Sequence, residues 1–249
     1  MNTTISSQAI FVGVGVGPGD PELLTLKAYR LIQQADVISY IANAKGDSQA
    51  KKIAALALQD VSKDQCHIPV VMPMAEDRSA ANEAYDQAAK AIALALTAGK
   101  SVVFLCEGDP LFFGSFAYLL ERLEDEFSCQ VVPGISSVHA ASAALKIPLT
   151  MLKESFAVVS GRHSEQQLRE TLTAHDSVVI MKAGRSRQRI LQALTDTGRS
   201  NDANYLEYIG REQQHVETDM SLLQGEAGPY FSLFVVTRSK ARRRLDSRL

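Results

Sequence analysis

The feature that most constrains the fold of this chain is an alternation of short β-branched runs with longer stretches rich in Ala and Leu. Runs such as 10–16 and 101–105 have the length and composition of buried strands. Between the runs, apolar residues recur every three or four positions, most clearly over 80–98, and Gly99 is placed to end that helix. Strands that alternate with helices predict an α/β fold with largely parallel sheets.

The same pattern locates the elements and divides the chain. Strands are predicted over 10–16, 37–41, 67–72, 101–105, 130–132, 156–160, 177–181, 204–209 and 231–236. Helices are predicted over 22–34, 48–58, 80–98, 115–123, 136–145, 164–173 and 187–194. So many strands suit two small α/β domains better than one sheet. An acidic stretch at 124–127 marks the expected boundary, which gives domains 1–126 and 127–240 and a basic tail, 241–249.

Composition and charge exclude several classes of protein. The 249 residues have an ordinary share of apolar and charged side chains, unlike a disordered chain or a coiled coil. The formal net charge of −2 disfavours a nucleic-acid binder with a strongly basic surface. Residues 238–249 carry six Lys/Arg and one Asp, whereas residues 1–237 carry 20 Lys/Arg and 27 Asp/Glu. We expect this basic end to lie apart from any binding site.

The cysteines and the first residues predict a cytoplasmic protein. Cys66, Cys106 and Cys129 show no C-x-x-C pair and no zinc-ligand spacing, so we expect reduced, mostly buried thiols and no bound metal. Residues 1–9 contain no Lys or Arg and lack the basic region of a secretory signal. The apolar run 10–16 has the length of a strand rather than of a membrane span, so no membrane partner is expected.

A glycine-rich loop follows the first predicted strand. Residues 12–21 read V-G-V-G-V-G-P-G-D-P, and a loop between a strand and a helix is where α/β proteins bind ligands. The loop fits neither the dinucleotide fingerprint nor the phosphate loop G-x-x-x-x-G-K-[ST]. Pro18 and Pro21 lack N–H groups, so we expect a shaped wall for a ligand rather than a phosphate cradle. The alternative is a tight turn in which Asp20 caps the helix.

A second loop, Glu107-Gly108-Asp109-Pro110, follows the buried strand at 101–105. Gly108 allows a ligand to approach closely, and Asp109 is suited to bind hydroxyl groups or a cation. The adjacent Phe112 and Phe113 are suited to pack on a flat ring. The alternative is an ordinary Asp-Pro turn with phenylalanines in the core.

A third loop follows the strand at 130–132 and leads into Ser136 and Ser137. Their hydroxyl and N–H groups lie at a predicted helix start, where they either bind a ligand carboxylate or amine or only cap the helix. Three glycine-containing loops at three strand ends can line a single crevice.

Taken in order, the three loops contain the motifs G-x-G-P-G-D-P, G-D-P-x-x-[FY]-G and P-G-[IV]-[ST]-S. This set resembles the tetrapyrrole methylase family, and the resemblance covers essentially the whole chain. It implies an S-adenosylmethionine-dependent methyltransferase outside the Rossmann class. It also implies two small α/β domains with the active site in the cleft between them, a folded cofactor and a homodimer.

Finer features resemble the branch of the family that methylates carbon 20 of precorrin-2 in cobalamin biosynthesis. They are Tyr40 with Lys45-Gly46, Ser48 and Ala50, and the segments 106–116, 181–185 and 229–232. Uroporphyrinogen methylases usually have a second glycine where Glu107 stands, and the match is loose over 207–213. The alternative within the branch is the cobalt-containing substrate of the anaerobic route. A uroporphyrinogen or another precorrin is a further alternative.

The resemblance also implies site residues. Cofactor contacts are expected from Pro18, Glu107, Gly108, Asp109, Phe112, Ser136, Ser137, Met181 and Lys182. Pro18 and Asp20 would face the reacting centre, which makes Asp20 a candidate catalytic residue. S-adenosylmethionine would leave as S-adenosylhomocysteine. No catalytic triad is needed, because the methyl donor is already activated and the enzyme mainly aligns and desolvates the reactants.

Four cations, Lys182, Arg185, Arg187 and Arg189, lie within eight residues at a predicted strand–helix junction. A precorrin-type substrate carries many acetate and propionate groups, and Arg binds carboxylates through two parallel hydrogen bonds. We hypothesise that Lys182, Arg185 and Arg187 hold the rim of the substrate. The alternative is a solvated helix face.

Two other classes of function can be weighed against the methyltransferase. A dehydrogenase needs the dinucleotide fingerprint and an acidic residue about 20 positions further on, and Asp36 follows no such unit. A tetrapyrrole carrier without catalytic activity needs no cofactor site. Binding of S-adenosylmethionine or S-adenosylhomocysteine separates the carrier from the enzyme.

Overall fold

A computed structural model describes residues 9–59, 61, 64–73, 78–223 and 226–238. The chain divides into two compact units, Met1–Ser137 and Val138–Leu249, and each unit contains one five-stranded sheet. The α/β fold class expected from the alternation of strands and helices is confirmed. The predicted basic tail, 241–249, lies outside the described residues.

The first unit is built on a fully parallel sheet with the strand order β3-β2-β4-β1-β5. Its strands are β1 (Phe11–Gly15), β2 (Val37–Ala42), β3 (Cys66–Val71), β4 (Val102–Cys106) and β5 (Cys129–Val132). Its helices are α1 (Leu26–Gln34), α2 (Gln49–Ile53), α3 (Ala55–Gln59), α4 (Arg78–Thr97) and α5 (Phe116–Leu123). Helices cover both faces of a parallel sheet, which is why its central strands are apolar throughout.

Alternate residues of the central strands serve two cores in the first unit. Val12 and Val14 of β1 are buried in a cluster that includes Ile32 of α1. Phe11, on the other face of β1, is buried with Phe116 of α5, and their ring centroids are 5.1 Å apart. The short β-branched runs therefore form strands that are covered on both faces of the sheet, as their composition predicts.

Two predicted helices differ from the structure in their extent. The helix predicted over 22–34 begins only at Leu26, because Pro21–Leu23 form a separate 3-10 turn and Thr25 caps α1. Leu26, the first residue of α1, is 83% exposed. The helix predicted over 48–58 is divided at Ala54 into α2 and α3.

The second unit carries a mixed sheet, so the expectation of largely parallel sheets is wrong for this half of the chain. Its strands, in the order β6-β7-β10-β8-β9, are β6 (Phe156–Ser160), β7 (Ser177–Met181), β8 (Ala203–Glu207), β9 (His215–Glu217) and β10 (Ser232–Val236). β6 and β7 pair in parallel, whereas β10 is antiparallel to both β7 and β8, and β8 is antiparallel to β9. The remaining helices are α6 (Ser137–Leu145), α7 (Glu165–Ala174) and α8 (Arg187–Asp196). In the described part of the connection from β8 to β10 there is no helical crossover, which a parallel return would need.

The boundary between the two units falls later than the acidic stretch predicts. β5 pairs in parallel with β1, and the backbone N–H of Phe11 donates a 2.9 Å hydrogen bond to Ser128 O. Because of these contacts, the first unit ends at Ser137 rather than at residue 126.

A reciprocal Asp–Ser pair aligns two parallel strands in each unit. Just before β2 and β4, Asp36 Oδ2 accepts hydrogen bonds from Ser101 N (2.9 Å) and Oγ (2.7 Å), and Asp36 N donates to Ser101 Oγ (3.1 Å). Just before β6 and β7, Asp176 Oδ2 accepts from Ser155 N (2.8 Å) and Oγ (3.0 Å), and Asp176 N donates to Ser155 Oγ (3.0 Å). The Ser155 N–H, helped by its hydroxyl and by an ion pair with Arg238, lowers the pKa of Asp176.

The three cysteines all lie in the described part of the chain and are free thiols. Cys106 is buried, which raises the pKa of its thiol well above the ordinary value, and Cys129 is half-buried. Cys66 is exposed, contrary to expectation, because it begins the edge strand β3. Among the described residues, no helix has the length and apolar character to cross a membrane, and no three His, Cys, Asp or Glu side chains are grouped as metal ligands.

Candidate functional site

The loops that follow β4, β1 and β5 meet at the carboxyl edge of the first sheet. β1 lies between β4 and β5, so the strand order brings the ends of these three strands together. Val16 N donates a 2.8 Å hydrogen bond to Cys106 O. Gly17 and Gly108 exchange backbone hydrogen bonds of 2.8 and 3.3 Å, and both have positive φ angles. The first and second loops are thus joined directly.

Three glycines, one from each loop, are in close backbone contact. A Cβ atom on Gly15 would lie 2.6 Å from both Gly108 O and Gly134 Cα, and a Cβ atom on Gly134 would lie 2.1 Å from Gly108 O. A larger residue at Gly15 or Gly134 would force the loops apart. The three loops that carry the sequence motifs therefore form one contiguous surface in the first unit.

Asp109 holds the second loop to the third. Its Oδ1 atom accepts hydrogen bonds from Leu111 N (2.9 Å) and Phe112 N (3.1 Å), and its Oδ2 atom accepts one from Gly134 N (3.0 Å). Both carboxylate oxygens are therefore engaged with the backbone. In the structure, Asp109 therefore fixes the shape of the site. A ligand hydroxyl group could bind Asp109 only through an oxygen that already accepts a backbone hydrogen bond.

The phenylalanines of the second loop are not core residues. Phe112 is 37% and Phe113 42% exposed, and their rings pack edge to face with centroids 5.2 Å apart. Leu111 beside them is also exposed. Phe113 has a φ of 56°, in the left-handed region that few non-glycine residues adopt. The loop thus presents an apolar surface on which a flat ring can pack.

Glu107, Ser136 and Ser137 lie next to this surface. Glu107 is half-buried, directly before Gly108. A Cβ atom on Gly108 would lie 3.7 Å from Ser136 Cα, so the two loops are also in contact here. Ser136 is buried immediately before α6, and Ser137 is the first residue of that helix. The first N–H groups of a helix favour an anionic group, as the sequence analysis expects for these serines.

Asp20 has the capping role that the sequence analysis held as the alternative. Its Oδ1 atom accepts a 2.9 Å hydrogen bond from Glu22 N and caps the 3-10 turn Pro21–Leu23. Pro18 is buried in the same loop, three residues after β1 ends at Gly15. The structure thus provides a structural explanation for Asp20, and its catalytic candidacy stays a prediction.

In the second unit, Met181 and Lys182 lie where β7 ends. Met181 O accepts a 2.7 Å hydrogen bond from Gly161 N, and Ala183 N donates to Ser232 O at 3.1 Å. Lys182 between them has a φ of 56°. Non-glycine residues in this conformation cost free energy and concentrate at functional sites, which agrees with the expected role of Lys182.

The four clustered cations divide into two groups. Arg187 is mostly buried: its Nε donates a 2.6 Å hydrogen bond to Glu226 O, and its Nη1 lies 3.8 Å from Glu207 Oε1. Arg189 Nη2 donates to Gly161 O and Ser186 Oγ, both at 2.9 Å. These two side chains are engaged within the protein, so the structure does not support the hypothesis that Arg187 holds the substrate. For Lys182, which is half-buried, and Arg185, which is exposed, the hypothesis stays a prediction.

The segment 226–231 lies at the same edge of the second sheet, next to the start of β10, and none of its residues was predicted as a contact for a ligand, although 229–232 contributed to the family resemblance. Gly228 N donates a 2.9 Å hydrogen bond to Gly184 O, and a Cβ atom on Gly184 would lie 2.2 Å from Pro229 O. The Gly-Pro pair at 228–229 was the available signal, because such a pair marks a constrained turn.

The chain is similar to known proteins of one family over most of its length. The family model described as Tetrapyrrole (Corrin/Porphyrin) Methylases matches residues 11–222. A precorrin-2 C(20)-methyltransferase from Sinorhizobium sp is 35% identical over 236 residues, which cover 93% of this chain and 96% of that protein. A cobalt-precorrin-2 C(20)-methyltransferase from Salmonella typhimurium is 30% identical over 233 residues, covering 90% and 94% of the two chains.

Solved structures show the same fold. The crystal structure of a uroporphyrin-III C-methyl transferase from Thermus thermophilus, complexed with S-adenyl homocysteine, matches 95% of this chain and 99% of that one with a TM-score of 0.66. The two sequences are 24% identical. This likeness extends over both sheets.

Proposed function

This chain belongs to the tetrapyrrole (corrin/porphyrin) methylase family, and on that basis we propose that it transfers a methyl group from S-adenosylmethionine to carbon 20 of precorrin-2. The product is precorrin-3A, in the biosynthesis of cobalamin. One observation carries the proposal: the three motif loops are joined by hydrogen bonds at one sheet edge, in a chain that two C(20)-methyltransferases match over nine-tenths of its length or more.

The donors and acceptors of the first unit fit S-adenosylmethionine. The Glu107 carboxylate suits an ammonium or ribose hydroxyl groups, whereas Ser136, Ser137 and the first turn of α6 suit a carboxylate. Phe112 offers an exposed ring to a nucleobase. Gly108, with a φ of 65°, lets a ligand approach the backbone. Crystals of the Thermus protein contain S-adenyl homocysteine, which supports this assignment.

Met181 and Lys182 of the second unit are proposed as further cofactor contacts, and Pro18 is proposed from the first loop. When bound, S-adenosylmethionine supplies a methyl group already activated by its sulfonium. The work left to the protein is to bind, to align and to exclude water, which can supply on the order of 7–11 kcal/mol. The joined loops suit this task, because their backbone contacts fix the positions of Glu107, Phe112 and Ser136 relative to one another.

Lys182 and Arg185 are proposed to bind carboxylates on the rim of the tetrapyrrole. Arg185 is exposed in the 3-10 turn Gly184–Ser186, four residues beyond the end of β7. Local cations at this position can bind acetate and propionate groups even though the protein as a whole is not basic. A homodimer and a cytoplasmic location stay predictions.

The second candidate substrate is the cobalt-containing form of precorrin-2. The Salmonella relative, whose name specifies that substrate, covers almost as much of the chain as the Sinorhizobium relative. Uroporphyrinogen III is a weaker candidate, because the similar Thermus structure shares the fold at lower identity.

The proposal is tested by incubating the purified protein with S-adenosylmethionine and, in separate reactions, with precorrin-2, its cobalt form or uroporphyrinogen III. We expect one added methyl group by mass spectrometry, and an isotope-labelled methyl group attached to carbon 20 by NMR. Methylation at another carbon, or transfer to uroporphyrinogen III alone, would refute the proposal. Calorimetry with S-adenosylhomocysteine separates the carrier, because a protein that binds the tetrapyrrole but not this ligand is not a methyltransferase.

A further inference from the structure

Arg187 connects three segments at the edge of the second sheet where β7 and β8 end. It is the first residue of α8, and its side chain is only 12% exposed. Its Nε donates to Glu226 O at 2.6 Å, and its Nη1 lies 3.8 Å from Oε1 of Glu207, the last residue of β8. Its guanidinium carbon lies 5.7 Å from the centroid of the buried Tyr205 ring. One side chain therefore links α8, β8 and the segment 226–229.

The segment 226–229 in turn packs on the backbone that follows Lys182. Gly228 N donates a 2.9 Å hydrogen bond to Gly184 O, and Pro229 O accepts one of 2.7 Å from Ser232 Oγ. Gly184 leaves no room for a Cβ atom beneath Pro229 O. Tyr205 also fits against Gly228, where a Cβ atom would lie 2.2 Å from its hydroxyl oxygen. The position of residues 182–184 thus depends on a segment that Arg187 holds.

We propose that Arg187 is a positioning residue for the cofactor, which holds the segment 226–229 against residues 182–184 so that Met181 and Lys182 present a fixed binding surface. The proposal rests on the proposed function, in which Met181 and Lys182 contact S-adenosylmethionine. It differs from the hypothesis that Arg187 binds substrate carboxylates, because the Arg187 side chain contacts Glu226 O and the Glu207 carboxylate of the same chain.

The two roles predict different changes in the variant Arg187→Ala. A positioning residue predicts weaker binding of S-adenosylhomocysteine by about tenfold, or about 1.4 kcal/mol, measured by calorimetry without any substrate. A substrate contact predicts a raised KM for the tetrapyrrole with unchanged binding of S-adenosylhomocysteine. Arg187→Lys should fall between Arg187→Ala and the parent protein, since Lys keeps the charge near Glu207 but lacks the planar fork.

Arg169→Ala is the matched control. Arg169 is also an ion-paired arginine of the second unit, bound to Glu165 on α7 and to Asp196 at the end of α8. Its removal should lower the melting temperature while leaving binding of S-adenosylhomocysteine within about twofold of the parent, a difference of about 0.4 kcal/mol. A general loss of stability is thereby separated from a loss of positioning.

Three outcomes decide the proposal. Weakened S-adenosylhomocysteine binding in Arg187→Ala, but not in Arg169→Ala, supports it. Unchanged binding in Arg187→Ala overturns it, as does an equal loss in both variants. If Arg187→Ala does not fold, Arg187→Lys and Glu207→Gln replace it in the same comparison. A parent protein that binds S-adenosylhomocysteine but does not methylate precorrin-2 would refute the proposed function and leave this measurement valid.

Discussion

At the scale of single residues, Asp20 and Asp109 occupy the same short sequence, Gly-Asp-Pro, and begin the same local turn. Each Oδ1 atom accepts a hydrogen bond from the N–H two residues further along, at Glu22 and Leu111. The difference is the second oxygen of Asp109, which reaches Gly134 in another loop. The motif predicts the turn, but the bond to Gly134 depends on the pairing of β1 with β4 and β5, which no local pattern contains.

We expect Asp109→Asn to destabilise the protein and Asp20→Asn to be close to neutral. In Asp109→Asn, the side-chain amide would turn a donor toward the Gly134 N–H, which leaves that group unsatisfied at a cost of about 1–3 kcal/mol. Asn caps a helical turn about as well as Asp, so Asp20→Asn keeps its hydrogen bond. Urea unfolding of the two variants measures the difference, and equal midpoints would contradict the role given to Asp109.

The cluster of cations shows why side-chain partners are hard to predict from spacing. Lys182, Arg185, Arg187 and Arg189 are close in sequence, which predicted a shared task. Arg187 and Arg189 are two residues apart on α8, and residues at this spacing do not face each other on a helix. Arg189 contacts Gly161 and Arg187 contacts Glu226, partners that are both distant in sequence.

At the scale of elements, strand positions were predicted more reliably than strand directions. The strands predicted over 156–160 and 177–181 agree with β6 and β7 at both ends. The helix predicted over 164–173 agrees with α7, which a capping box of Ser164 and Gln167 opens. The strand β10 was predicted over 231–236, but its antiparallel direction was missed, because periodicity shows where a strand lies but not its direction. No helix was predicted between the strands at 204–209 and 231–236, which was a local hint of an antiparallel return. The short strand β9 (His215–Glu217) was not predicted.

The pair of Asp176 and Ser155 predicts a pH dependence of stability. The pKa of Asp176 is lowered in the folded state, so its ionised form stabilises the fold above the unfolded pKa of about 3.9, and this contribution is lost as the pH falls through the folded pKa. Asp176→Asn should therefore be less stable than the parent near neutral pH, and the gap should narrow below about pH 3.9. Urea unfolding near neutral pH and below about pH 3.9 measures this difference in the free energy of unfolding.

Asp125→Asn serves as the control for this pH dependence. Asp125 is exposed in the acidic stretch after α5, in the first unit. The free energy of unfolding of Asp125→Asn should differ from that of the parent by a nearly constant amount across the same pH range. If the difference in the free energy of unfolding between Asp176→Asn and the parent stays constant with pH, ionisation of Asp176 is not its cause. The loss would then come from the changed hydrogen bonds of the side chain.

At the scale of the whole molecule, cations among the described residues of the second unit lie at both ends of its sheet. Met181 and Lys182 lie where β7 ends, together with the start of β10. Arg238 follows the other end of β10, where it pairs with Asp176 just before β7. The strand β7 has five residues, so these ends are roughly 15 Å apart. The net charge of −2 thus conceals cations of two kinds, some beside the proposed site and some at the opposite edge.

This placement predicts that removal of residues 241–249 leaves binding of S-adenosylhomocysteine and the KM for the tetrapyrrole unchanged. Arg238 and its ion pair with Asp176 remain in the shortened protein, so its stability should also be close to that of the parent. Arg238→Ala in the full-length chain breaks the pair and should cost up to about 1 kcal/mol, because both side chains are partly exposed. Calorimetry, steady-state kinetics and urea unfolding of the two variants test these expectations. A large loss of cofactor affinity in the shortened protein would mean that the basic tail contributes to the site. Loss of the ion pair could not explain such a result, because the shortened protein retains Arg238 and the effect of the ion pair is measured separately in Arg238→Ala.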